Sequence, residues 1–214
     1  MVIIRNILTS LVVSTLVFGC KENKRICKVE KVVVSPISSV DSTYFENRNI
    51  FQSALGVDNL TDGFDSVAVR INIYYGMLKR QLLVDIKFSR NSLNCKIFTL
   101  EVDRNQISEA PAIANKNVQS FSRYFNRHAI LDSLRNYGLF SIRTDEEIPG
   151  WGWGLHNVGW IVQYTNCKEY RIYSNNSFLD KYNRTRQTEA ENIVKIIKFL
   201  ESEFGIELIP EKYY

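Results

Sequence analysis

Two histidines and four cysteines among 214 residues leave this chain little from which to build a metal centre or a disulfide scaffold. Ten glycines and four prolines exclude a collagen-like repeat. An excess of one charge is also missing, since 27 Lys plus Arg stand against 23 Asp plus Glu for a net charge of +4. That balance predicts no nucleic-acid binding, which needs a concentrated basic stripe. Repeated long hydrophobic runs are absent, which excludes a polytopic membrane protein. What is present, 45% hydrophobic and 23% charged residues, is the composition of a folded globular chain and not of a disordered one.

Residues 1–19, MVIIRNILTSLVVSTLVFG, carry one basic residue, Arg5, and no acidic one. The largely apolar run from Ile7 to Phe18 is 12 residues long. At ~1.5 Å per residue it makes about 18 Å of helix, against a hydrocarbon core of about 30 Å. A positive start, a short apolar middle and a small residue at the end read as a secretory signal peptide. Val17-Phe18-Gly19-Cys20 resembles the lipobox of bacterial lipoproteins, with Phe18 bulkier than that pattern's usual residue. The resemblance implies cleavage before Cys20, a diacylglycerol on its sulfur and acylation (palmitate) of the new N-terminus. Two or more acyl chains hold a protein on a membrane stably, where one binds reversibly. Lys21 after the cysteine resembles the sorting signal for the outer membrane of Gram-negative bacteria. Residues 20–25 then form a tether reaching about 20 Å. The body, 26–214, is expected in the periplasm or at the cell surface, with 110–116 around Pro111 as the natural place for a subdivision.

With Cys20 lipidated, Cys27, Cys95 and Cys167 remain, and three sulfurs can form one bridge in three ways. Their spacing selects no pairing, and the expectation is three small core or strand residues. With only His128 and His156 as imidazoles and no CxxC, neither a metal site nor a cofactor is expected.

The fold class follows from periodicity. Residues 26–34 read as a strand, joined to the sheet at an edge. Val67, Val69, Ile71, Ile73 and Tyr75 alternate with Arg70 and Asn72; Leu82, Val84, Ile86 and Phe88 alternate with Asp85 and Lys87; Phe98, Leu100 and Val102 alternate with Thr99 and Glu101. Period two predicts a three-stranded antiparallel meander with one buried and one wet face. A short helix fits near Ile50–Leu55. The three-and-four spacing of Val118, Phe121, Phe125, Ile130, Leu131, Leu134 and Tyr137 predicts a helix over 118–137, stopped by Gly138. Leu139–Arg143 reads as a short strand. A hairpin follows, with Val158, Trp160, Val162 and Tyr164 on one face, continued by Tyr170 and Ile172. Thr188-x-x-Glu191 has capping-box spacing and opens a helix that ends at Gly205. The expected fold is α+β, a mostly antiparallel sheet (meander plus C-terminal hairpin) packed by two helices.

The run LDSLRNYGLFSI, then IPGWGWG, then the hairpin carrying YRIYSNNSF and the last helix, over roughly Leu131–Gly205, resembles uncharacterised lipoproteins of Bacteroidetes-type bacteria. The resemblance implies the same envelope address and hairpin-plus-helix ending, and brings no activity with it.

Candidate site residues cluster in PGWGWGLHNVGW. Trp151, Trp153 and His156 are the candidate binding residues, on a glycine-rich loop able to display indole faces to a sugar or a peptide. The competing role for Trp151 or Trp153 is to plug the end of the core while the glycines turn the backbone. No GxSxG, HExxH or phosphate-cradling glycine loop occurs, so no catalytic residue is assigned. The residues therefore favour a membrane-anchored envelope lipoprotein with a binding or structural role, an inhibitor or immunity-type protein being one version. Its partners would be the membrane, through the anchor, and an envelope protein or glycan. The rival is an envelope glycan hydrolase with the tryptophan loop as sugar platform and Glu146 or Glu147 as acid. For that run, Asp145-Glu146-Glu147, a solvated acidic turn is the plainer reading.

Overall fold

The computed structural model describes residues 27, 29–34, 52–75, 80–103, 112–123, 126–152 and 158–213. In chain order these form β1 (Lys31–Val34), β2 (Val67–Tyr75), β3 (Arg80–Phe88), β4 (Leu93–Asp103), β5 (Ala112–Arg123), α1 (Arg127–Asn136), β6 (Val158–Thr165), β7 (Glu169–Asn175), α2 (Phe178–Arg184) and α3 (Thr188–Phe204). All seven strands belong to one sheet in the order β1-β7-β6-β2-β3-β4-β5. Every pairing is antiparallel except β1 with β7, which is parallel. The fold is α+β, and residues 112–116 lie within β5, paired with β4.

One face carries the main core. Ile71 stands between Val84 and Val162, and Ile73 between Leu82 and Trp160, so alternate residues of four strands meet α1 and α3 there. Ile193, Ile197 and Leu200 of α3 are fully buried against it, each contributing roughly 1.5–3 kcal/mol. Gly205 takes the left-handed conformation (φ 64°) that ends α3.

The structure corrects several expectations. The segment 118–123 is strand, not helix; α1 starts only at Arg127. Val118 and Phe121, three apart, project to opposite faces of β5, opposite Phe98 and Cys95 respectively. Residues 139–141 form turns and not a strand, with the Ile142 N–H donating to the Gly138 carbonyl. Thr188 is the first residue of α3 and makes no capping box; Gln187 precedes it without a side-chain cap. Tyr170 and Ile172 pair with Thr165 and Gln163, which puts them on the face opposite Trp160 and Val162. The edge position of β1 is as expected, but its neighbour is the hairpin.

The face expected to be wet is substantially covered. The segment 52–62, a helical turn at 52–55 and a 3-10 turn at Leu60–Asp62, packs Leu55 on Leu83, Phe98 and Leu100, and Leu60 on Ala68, Ile161, Tyr170 and Ile172. Beneath it Arg70 and Asp85 are 1% and 2% exposed. They face each other in register, Arg70 Nε and Nη2 donating to Asp85 Oδ1 at 2.9 and 2.8 Å. Arg70 Nη2 also donates to the Asp58 carbonyl at 3.0 Å. On the same row Gln163 Oε1 accepts from Gln52 Nε2 (3.1 Å) and from the Tyr170 hydroxyl (3.2 Å). Lys87 donates to the Asp58 carboxylate, which holds that acid below its ordinary range.

Cys27 and Cys167 form a disulfide with Cα atoms 5.1 Å apart, against the expectation of three unbridged cysteines. The bond fastens the residues before β1 to the β6–β7 turn, and no spacing rule could have selected this pair. Cys95 is free and buried against the main core, where desolvation pushes its thiol pKa far upward. Among the described residues no helix is long and apolar enough to cross a membrane.

Candidate functional site

The tryptophan loop is anchored from both sides. Thr144 caps the 3-10 turn Asp145–Glu147, with the Glu147 carboxylate reaching back to the Thr144 N–H at 3.2 Å in a capping box. Asp145 is buried and accepts from the backbone N–H of Asn176 at 2.8 Å and of Glu146 at 3.0 Å. Thr144 Oγ1 donates to the Ser174 carbonyl at 2.8 Å. The acidic run thus gives two of its three carboxylates to local structure, and Glu146 alone is exposed with no side-chain bond to the described residues. The expectation of a solvated acidic turn fails at Asp145.

Trp151 takes the core-plugging role of the two open to it. It is 2% exposed, packs in the main core, and donates from Nε1 to the Asn176 carbonyl at 2.6 Å. Gly150 and Gly152 flank it at φ 73° and 51°, conformations that L side chains rarely adopt. Trp153 and His156 lie outside the described residues, as does Cys20. Trp160 is fully buried, with Nε1 donating to Asn175 Oδ1 at 3.0 Å. Replacing Trp151 with Phe keeps most of the packing but leaves the Asn176 carbonyl without its indole donor. The expected loss is about 1–3 kcal/mol of unfolding free energy, read by urea denaturation, with the fold retained.

A second region, which the sequence did not suggest, lies over β3, β4 and β5. Where α3 ends at Phe204, the chain folds back through Ile206–Ile209 and leaves a groove of about 590 Å3 on the helix-bearing face, floored by β3, β4 and β5. Arg80, Ile97, Gln119, Phe121, Phe204 and Leu208 are among its lining residues. The fold-back is held by Glu201 Oε1, which accepts from the Leu208 and Ile209 N–H groups at 2.9 Å each, and by the Tyr75 hydroxyl, which donates to the Leu208 carbonyl. Arg123 of β5 pairs with Glu203 at 2.8 Å and lies over the Phe204 ring. Arg80 makes no ion pair among the described residues, and its Nε is buried without a hydrogen-bond acceptor. The groove has the size of a small-ligand or side-chain pocket.

The groove adjoins the edge of β5, which has no strand partner among the described residues, because Gln119, Ser120 and Phe121 belong to both. In the sequence this edge is obscured by the three-and-four spacing of Val118, Phe121 and Phe125, which mimics a helix. Cys27 and Cys167 lie near the Asp65 carboxylate, but the two sulfurs are bonded to each other and the cluster is a disulfide with an acidic neighbour. Compared with known protein families and with curated proteins, the chain matches none in sequence.

Proposed function

We propose that this chain is the body of a lipid-anchored protein of the bacterial cell envelope, attached through Cys20 to the outer membrane, and that its role is to bind a partner protein there. The observation that supports the address is the Cys27–Cys167 disulfide, a bond that persists in oxidising compartments outside the cytosol. It stands seven residues after the cysteine of the lipobox-like segment. Those seven residues, fully extended, span about 25 Å. The disulfide then passes the tether's pull directly to the β6–β7 turn, so the body stays close to the bilayer. A binding role fits the exposed edge and groove at the far side of the sheet, some six strand spacings, or about 29 Å, from β1.

Expression in a Gram-negative host with an alkyne fatty acid tests the anchor. The wild-type chain is expected to take up the label and to partition into the detergent phase. Cys20→Ser should lose both properties while its body still forms the Cys27–Cys167 bond. An unlabelled wild-type chain in the aqueous phase would overturn the anchor.

A further inference from the structure

We propose that the free edge of β5 receives an extended segment of a partner protein, added as an antiparallel strand, with an acidic side chain facing Lys116 and an apolar one facing Val118. This deepens the binding role proposed above and rests on it. β5 is 12 residues long and, among the described residues, last in the sheet, so about half of its backbone N–H and C=O groups point away from β4. Residues 114–120 are all exposed. Edge strands are ordinarily blunted by shortness, proline or charge. The opposite edge, β1, is only four residues long and lies beside the disulfide. β5 is three times as long, contains no proline, and carries no charge from Asn117 to Ser122.

The side chains indicate the chemistry of the occupant. On the face turned away from the groove, β4 contributes Asn94, Lys96, Phe98 and Leu100, and β5 contributes their partners Ser122, Ser120, Val118 and Lys116. Lys96 and Lys116 are exposed and neither forms an ion pair among the described residues; Lys96 stands opposite Asp85 of β3, whereas no residue of this β4–β5 set offers Lys116 a carboxylate. Val118 is 41% exposed on the same face. A strand laid along β5 places its own residues about 4.5–5.5 Å from these at the Cβ atoms, where opposite charges and apolar pairs are favourable. Its residue opposite Gln119 projects to the other face, toward the mouth of the groove floored by Ile97 and Phe121. Backbone pairing supplies affinity and the alternate side chains supply selectivity, as in other strand-addition modes.

The probe is the fluorescein-labelled, amidated heptapeptide Thr-Thr-Leu-Val-Thr-Glu-Thr. Added antiparallel, its Glu meets Lys116, its Val meets Val118 and its Leu meets Gln119. Anisotropy titration of the detergent-solubilised, disulfide-intact protein is expected to show saturable binding. Exchanging the peptide's Glu for Lys should weaken binding about three- to tenfold, and Lys116→Glu should reverse that preference. The substitution is at an exposed position, and an unchanged urea midpoint verifies the fold. N-methylation of one alternate set of peptide residues should abolish binding and of the other set should not, because only one set faces β5. No saturable binding up to about 1 mM, a regime weaker than −4.1 kcal/mol, would overturn the proposal. So would indifference to charge and methylation, or sedimentation showing β5 already paired with a second copy. None of these outcomes alters the fatty-acid label on Cys20, so a failure here is separable from failure of the anchor.

Discussion

Replacing Asp85 with alanine is expected to cost about 3–5 kcal/mol of unfolding free energy, the usual penalty for leaving one member of a buried ion pair alone. Arg70 is 1% exposed on the second face of the sheet, and Asp85 Oδ1 accepts from both its Nε and Nη2. Its remaining acceptor, the Asp58 carbonyl, is neutral, and its Nη1 has no hydrogen-bond partner. Lys87, 3.7 Å from Asp85, would keep its bond to the Asp58 carboxylate and so offers Arg70 no replacement anion. The double variant Arg70→Met/Asp85→Leu removes both charges and fills the space with apolar atoms. It should unfold near the wild-type midpoint or above it, since buried pairs seldom outperform well-packed apolar replacements. Urea denaturation of the two single variants and the double variant gives the coupling directly. By contrast, the Arg143–Glu189 pair, whose arginine side chain is 53% exposed, should yield less than about 1 kcal/mol on the same test. A cost below that level at Asp85 would mean that water reaches Arg70 and that the 52–62 segment does not seal the face.

Loss of the Cys27–Cys167 bond is expected to destabilise the protein by about 2–4 kcal/mol. The cysteines are 140 positions apart, and the chain-entropy relation for a loop of that size gives about 5 kcal/mol as its limit. Part of the effect should appear locally. β1 contributes only four residues to the sheet, so without the bond its pairing with β7 has little to hold it. Hydrogen exchange in Cys27→Ala/Cys167→Ala should therefore accelerate at Lys31–Val34 while the centre of β2 and β3 stays protected. The same shift should follow from a reductant on the wild type, and the buried Cys95 should stay unalkylated while the protein is folded. An unchanged unfolding midpoint on reduction would contradict this account of the bond.

Most of the strands that were legible are buried on at least one face; β1, exposed at three of its four residues, was legible from its run of β-branched valines instead. β2 and β3 alternate cleanly because every second residue meets α1 or α3, and α3 carries a broad apolar stripe for the complementary reason. β5 was not legible, because an edge strand exposed on both sides has no pattern to keep. Val118 and Phe121, on opposite faces, then imitated a helical turn with Phe125. The second face misled for a different reason. Arg70, Asn72 and Asp85 are the residue types of a wet surface, and their burial comes from a distant segment, 52–62, whose Leu55 and Leu60 pack on that face. Trp151 is similar: a glycine-flanked tryptophan is compatible with display or with burial, and the Asn176 carbonyl that settles it comes from beyond β7. The disulfide partner of Cys27 was beyond reach because strand order, set by the parallel β1–β7 pairing, brings Cys167 to it.

Intact and peptide mass spectrometry of the protein purified from envelope membranes without reductant tests most directly the claim that an exported, acylated cysteine tethers a disulfide-closed body. The account predicts an N-terminal peptide starting at Cys20 and bearing fatty acyl mass, together with a Cys27–Cys167 cross-linked peptide and one free thiol at Cys95. A chain that still begins at Met1, or free thiols at both Cys27 and Cys167, would contradict it.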